Sequence, residues 1–269
     1  MRLMSECTQT LCVATYNIHR GLGRDRRLDH DRVARVILDF DADVVALQEV
    51  ETPATTAGEA VALVHELREH GYKPLLGPTI RSERSSYGNV LLSRLPVMGN
   101  RGHDLSQPGR EPRGLIEASL SLDGCVAAQS LSTSHRDLSC FATHLGLQGW
   151  ERGRQVDRLV EQIDRCGHQR GIRSPIILLG DFNEWQRRSR LLRPIAERLE
   201  ATPPRPTYPS YWPLLPLDRI WFGGGLRLEQ LDVVKTATTR VASDHLPLRA
   251  SFVVIETTAA RHGERSEGA

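Results

Sequence analysis

Apolar residues along this chain come in two rhythms, and the rhythm assigns the elements. Compact apolar runs at residues 11–18, 44–47 and 175–179 are too short for globular helices and read as strands buried on both faces. Elsewhere apolar residues recur at helical spacing: Val33, Val36, Ile37 and Phe40, then Ala60, Leu63, Val64 and Leu67, then Val156, Leu159, Val160 and Ile163. Asp29 or Asp31 offers an N-cap to the first of these helices, and Gly71 a C′ glycine to the second. From residue 73 to 145 the pattern turns to strands and turns, with strands at 90–92, 97–105, 115–122, 126–131 and 138–145. A helix or loop rich in arginine (Arg187, Arg188, Arg190, Arg193) follows the run at 175–179. Residues 202–216 hold six of the 15 prolines together with Tyr208, Tyr211 and Trp212, and read as an ordered loop. Strands at 217–222, 228–234 and 246–254 close the chain. Strands outnumber helices, and helices fall in both halves. That favours two packed sheets with helices outside over a single doubly wound sheet.

Composition narrows the class without naming a function. At 269 residues, with 39% hydrophobic and 25% charged residues, the chain suits a soluble globular protein with an ample core. A single domain over residues 1–256 and a disordered polar tail over 257–269 are expected, as a monomer. The formal charge is only +2, yet just two of the 35 basic residues, Lys73 and Lys235, are lysines. Arginine binds phosphate bidentately, so the bias suits a phosphate-bearing substrate; it is equally the mark of a base-composition bias. Five scattered cysteines without CxxC spacing argue against a disulfide framework or a structural zinc site and suit a reducing cytosol. The first ten residues lack the apolar core of a signal peptide, and no apolar run reaches the length of a membrane span, so a cytoplasmic location is expected.

The chemistry sits where the strands end. Asp181 and Asn183 follow the run at 175–179 directly, and in an extended backbone residues two apart point the same way. A strand closing in a plain Asx turn accounts for that tripeptide equally well. The arrangement recurs, however: Asn17 in TYNIH, Glu49 in LQEV, His144 in THLG, Asp218 in LDRI, and Asp244 with His245 in SDHLP. Carboxylates with an asparagine and no thiolates describe an oxygen site for a hard cation such as Mg²⁺ or Mn²⁺. The two histidines add acid–base capacity near neutral pH.

Taken in order, TYNIH, LQEV, GNVLLSR, THL, GDFN, LDRI and SDH span nearly the whole chain and resemble the endonuclease/exonuclease/phosphatase superfamily. The resemblance implies an α/β fold: a four-layered α/β/β/α sandwich of two mixed β-sheets flanked by helices, with a metal-dependent phosphoesterase site at one edge. It implies Glu49 as the principal metal ligand, with Asn17 and Asp244 beside it. Asp181 would orient or deprotonate the attacking water and Asn183 would hold the scissile phosphate. His245 would contact a phosphoryl oxygen with its tautomer fixed by Asp218, and His144 would aid the leaving group or the phosphate. Beside these, Asn89 is a candidate substrate contact, His19 reads as a phosphate contact or simply a strand-end histidine, and Arg113 and Arg219 either face the site as substrate contacts or are solvated surface arginines.

Two positions depart from apurinic endonucleases of that superfamily, which usually carry an acidic residue and an asparagine where this chain has His19 and His144. This points away from abasic-site repair and towards the branch of sphingomyelinases, nonspecific deoxyribonucleases and phosphoinositide phosphatases. NIHRG, HLGL and PLLPLDRI are most similar to small uncharacterised bacterial members. Nucleic acid, phospholipid and small phosphoesters all remain open as substrates. Tyr208, Tyr211 and Trp212 would stack on a base, insert into a lipid surface or simply pack their loop. A catalytically silent phosphate- or nucleic-acid-binding module is the competing reading. The retention of Glu49, Asp181, Asn183, Asp244 and His245 together speaks against it.

Overall fold

The computed structural model describes residues 10–53, 62–83, 85–123, 137–170 and 174–255, and the statements below concern these residues. The first half runs β1 (Leu11–Asn17), α1 (His30–Leu38), β2 (Val44–Pro53), α2 (Ala62–Glu69), β3 (Lys73–Arg81) and β4 (Ser85–Ser93). The middle comprises β5 (Val97–Asp104), β6 (Gly114–Ser121), β7 (Asp137–His144), α3 (Gly149–Arg170) and β8 (Ile176–Asp181). Then follow α4 (Arg193–Ala196), β9 (Glu200–Ala201), β10 (Asp218–Gly223), β11 (Leu226–Val233), α5 (Thr239–Ala242) and β12 (Leu248–Val254).

The strands form two six-stranded sheets, ordered β11-β12-β1-β2-β4-β3 and β5-β6-β7-β8-β10-β9. Both are mixed: β1 runs parallel to β2 and β7 to β8, while their other pairings are antiparallel. Alternation along each central strand explains why such strands read as unbroken apolar runs. Leu11 and Val13 enter the core between the sheets, while Cys12, Ala14 and Tyr16 face α1 and α2 on the outside. In the second sheet Ile177 and Leu179 join the inter-sheet core, and Ile176 and Leu178 pack beneath α3 with Val156, Leu159 and Ile163. The result is the four-layered α/β/β/α sandwich.

Local signals hold where side chains decide. Asp29 caps α1 by accepting from the Arg32 backbone N–H, and Gly71 follows α2 at φ +87°. Cys12, Cys140 and Cys166 are buried, and no disulfide joins them. The strand β3 has no counterpart in the sequence reading, because Pro74, Gly77 and Pro78 interrupt it. It tolerates them because it lies at the edge of its sheet, where an N–H can be dispensed with. The arginine-rich stretch after β8 is loop, apart from the single turn of α4. The strand expected at 126–131 and the tail expected at 257–269 lie outside the described residues.

Candidate active site

Register places three functional side chains abreast. In the second sheet Asp181 pairs with His144 on one side and with Asp218 on the other. Ile177, Leu179, Ala142 and Ile220 point into the inter-sheet core, so by alternation Asp181, His144 and Asp218 also face inward. They stand at the ends of their strands, where the core opens at one edge of the sandwich. Gly180 makes the neighbouring strands' approach possible: at φ +154° its missing Cβ would otherwise collide with the Thr143 carbonyl oxygen.

The first sheet contributes from the opposite wall. Asn17 closes β1, and its amide donates to Glu49 Oε1 at 3.0 Å and to Asp181 Oδ2 at 3.1 Å, bridging the two sheets. Glu49 reaches that position through a bulge: the β2–β4 register shifts between Leu47 and Val50, and Glu49 adopts φ +59°. A bulge of this kind re-aims one side chain without ending the strand. Gln48 beside it stays fully buried, accepting from Thr15 Oγ1 at 3.3 Å.

Asp244 and His245 arrive on the turn between α5 and β12. Ser243 anchors that turn: its Oγ donates to the Asn17 carbonyl at 2.7 Å and accepts from the His245 N–H at 3.2 Å. His245 Nδ1 donates to Asp218 Oδ2 at 2.9 Å, leaving Nε2 3.7 Å from Asp181 Oδ2. The ring of Tyr208 covers His245 at 4.9 Å between centroids.

Asp181 and Asn183 do not share the extended backbone that their spacing suggests. The backbone does not stay extended: Asn183 lies in the left-handed region at φ +50°, and Asp181 Oδ1 accepts from its backbone N–H at 2.9 Å. The strand therefore ends in the local Asx-type contact, and still both side chains reach the site. Asp181 divides its oxygens, one to the turn and one to Asn17. The Asn183 amide donates to the Leu145 carbonyl at 2.9 Å and lies 3.1 Å from His144 Nε2.

The two histidines sit in opposite electrostatic states. Burial pushes His144 down to about 3 against the opposing pull of Asp181, with Arg113 and His245 adding smaller lowering effects. Burial also works against a charge on His245, but Asp218, Asp181 and Asp244 overcome it and hold its pKa up at about 10. Arg113 Nη1 donates to His144 Nδ1 at 3.3 Å. A guanidinium can only donate, and the Asn183 amide nitrogen faces Nε2, so both ring nitrogens of His144 meet donors, with Nε2 3.6 Å from Asp181 Oδ2.

The remaining expected residues divide. Asn89 and Arg113 line a narrow cleft with Glu49 and His144. Asn89 donates to the Gly114 carbonyl at 3.2 Å. His19 stands half-exposed at the rim, its Nδ1 4.0 Å from Asp244 Oδ1. Arg219 does not face the site. It follows Asp218 on β10 and so points to the outer face, donating to the Glu184 and Gln186 carbonyls at 3.1 and 3.0 Å. Sequence reading passed over Tyr87 and Ser243. Tyr87 shares the Asn89 face of β4 by alternation and lines the same cleft. Ser243 directly precedes the Asp–His pair, a position suited to an Asx- or Ser-type turn contact.

One group could hold a cation by its donor chemistry: Asp181, Asp218 and His245 each offer a ligand atom within 4.8 Å of the others, and the buried Asp218 Oδ1 has no hydrogen-bond partner among the described residues. Of the expected ligands, Glu49 and Asp244 are half-buried, and the buried Asn17 turns its amide nitrogen to Glu49 and Asp181 while its Oδ1 accepts from the His19 N–H at 3.1 Å.

A layered sandwich with carboxylates and imidazoles gathered at one edge of its inter-sheet core is the class that fold and site define. The chain belongs to the Endonuclease/Exonuclease/phosphatase family, whose model matches residues 14–245. It is 28% identical over 259 residues to the uncharacterized protein YbhP of Escherichia coli (strain K12), covering 89% of this chain and 95% of that protein. Its fold matches an endonuclease/exonuclease/phosphatase structure from Beutenbergia cavernae, with TM-score 0.73 and 24% identity, over 92% of this chain and 72% of that one. The human Nocturnin catalytic domain with bound sulfate matches with TM-score 0.68 and 19% identity, over 90% of this chain and 94% of that domain. Members of the family are typically hydrolases acting on phosphoesters. No helix among the described residues is long and apolar enough to cross a membrane.

Proposed function

We propose that the chain hydrolyses a P–O bond of a phosphoester, with Mg²⁺ or Mn²⁺ as its cofactor and water as the nucleophile. The observation that carries this reading is the Asn17 amide, which ties Glu49 of one sheet to Asp181 of the other within a single pocket. The donor set suits a hard cation: carboxylates and an amide oxygen, with no thiolate among them. Glu49 with Asn17 and Asp244 would hold it, leaving His245, whose Nδ1 is committed to Asp218, to the substrate. A divalent ion there would neutralise charge on the phosphoryl oxygens.

The protein groups then take distinct roles. Asp181, an acceptor fixed by Asn17 and the Asn183 turn, receives the proton of the attacking water. A positioned base of this kind contributes roughly 10²–10⁴-fold. Asn183 presents an amide donor to the scissile phosphate. His245, charged and oriented by Asp218, donates through Nε2 to a phosphoryl oxygen. His144, kept neutral by burial, serves the phosphate or the leaving group. His19, Asn89 and Arg113 form the substrate margin.

The test is hydrolysis of bis-p-nitrophenyl phosphate with Mg²⁺, with Mn²⁺ and with EDTA. Turnover that needs the metal and is lost on Asp181→Asn supports the reading. Metal binding without turnover on any phosphoester would identify a silent binding module instead.

A further inference from the structure

Three of the four tryptophans are exposed: Trp185 and Trp212 on loops that border the active site and Trp150 in the first turn of α3. Leu147 (69% exposed) follows His144 by three residues, and Trp185 (57%) follows Asn183 by two. On the other flank the turn carrying Tyr211, Trp212 (67%) and Leu214 packs against His245 through Tyr208, and Ser210 N–H donates to the Asp244 carbonyl at 2.7 Å. Trp150 stands at the start of α3, three residues after Leu147 in the chain. The active site thus lies between two apolar rims.

These side chains are held out by rigid main chain. Buried Arg152 donates to the Leu147 carbonyl at 2.6 Å and to Glu184 Oε2 at 3.2 Å, stitching the two loops of the first rim together. Arg219 clamps the carbonyls on either side of Trp185 from beneath. Two buried guanidinium groups therefore fix a backbone whose apolar side chains gain nothing within the chain itself. Contiguous exposed apolar groups of this sort mark an interaction surface.

The chemistry of the rims selects the partner. Guanidinium groups already lie over the rings best placed to stack: Arg24 over Tyr211 at 4.4 Å, and Arg110 and Arg154 over Trp150 at 5.5 and 5.4 Å. Those two rings are thereby taken up, and Leu147 and Leu214 beside them offer a base nothing to stack on. Tryptophan, tyrosine and leucine interleaved with arginine are what a membrane interface takes up, the rings at headgroup depth and the cations against anionic lipid. Arg24, Arg110, Arg154 and Arg240 have no carboxylate partner among the described residues, so their charge is open to such a surface.

We propose that the two rims dock the chain peripherally on an anionic phospholipid surface and that the site takes a headgroup phosphoester from it. The second half of this statement rests on the phosphoesterase reading; the docking does not.

Sedimentation with vesicles tests it, using phosphatidylcholine alone and phosphatidylcholine mixed with phosphatidylglycerol. The chain should bind the mixed vesicles and bind the neutral ones more weakly. Trp185→Ala and Trp212→Ala should each lower binding roughly five- to tenfold, as expected for one ring withdrawn from the interface. Both variants should retain hydrolysis of bis-p-nitrophenyl phosphate, which also reports that they fold. Docking is overturned if the unaltered chain ignores mixed vesicles, or if the double variant binds them as well as the parent. It is equally overturned if the two tryptophans prove necessary for single-stranded oligonucleotide binding while vesicles stay unbound. Vesicle binding without hydrolysis of any phosphoester would overturn only the phosphoesterase reading and, with it, the headgroup as substrate.

Discussion

Asp218 Oδ2 and His245 Nδ1 are joined by a 2.9 Å hydrogen bond between two buried side chains 27 residues apart. The bond fixes which ring nitrogen faces Asp181 and sustains the positive charge on the imidazole. If the pair acts as one unit, His245→Ala should lower kcat by roughly 10²–10⁴-fold, and Asp218→Asn by a large part of that. The double variant should be little worse than His245→Ala alone, because a unit is lost once. Multiplicative losses in steady-state kinetics would show two independent roles.

Metal affinity should separate Glu49 from that pair. Glu49→Gln removes a formal charge next to a dication, and calorimetry should record a sharp loss of Mg²⁺ or Mn²⁺ binding. Asp218→Asn should leave the affinity nearly unchanged. The reverse order would move the cation to the Asp181, Asp218 and His245 set.

Nitrogen NMR of the metal-free protein should find the histidines in opposite states at mildly alkaline pH, His245 as imidazolium and His144 neutral. The stability they contribute is bounded on both sides of the ordinary value of 6.5. The raised pKa of His245 favours the fold fully below 6.5, and that contribution is lost as pH rises through about 10. The depressed pKa of His144 acts oppositely: its contribution is complete above 6.5 and is lost as pH falls towards about 3. Denaturant titrations across pH, compared with His144→Gln, check the acid side.

Arg219→Ala should reveal a structural residue. It strips two carbonyls of a charged donor beneath the Trp185 loop, and should cost about 1–3 kcal/mol in urea unfolding. KM for a soluble phosphoester should change little. A large rise in KM with stability intact would return Arg219 to the substrate.

Gly180→Ala should be worse than an ordinary surface change, since the new methyl meets the Thr143 backbone oxygen and only a shift of the central β7–β8 pair relieves it. Thermal denaturation should show a loss typical of core overpacking, about 1–3 kcal/mol or more.

The sequence by itself determined the strands and their ends. Continuous apolar runs report burial on both faces, so β1, β2 and β8 are legible from composition along a few residues. Polar side chains at the ends of such strands are legible for the same reason: they interrupt a pattern that packing otherwise demands. Asn17, His144, Asp181 and Asp218, which the fold brings together, stand at such ends. Tertiary structure decided the rest, because it turns on geometry that no local pattern encodes. Glu49 enters the pocket through a bulge whose register depends on β4, a separate strand. Arg219 and Asp218 are neighbours in sequence, but alternation on β10 sends one to the core edge and the other beneath a loop. The charge states of His144 and His245 follow from the company each keeps. One is buried beside a guanidinium and the other between carboxylates, and those neighbours come from β8, β10, the segment before β6 and the turn before β12, which only the folded sandwich brings together.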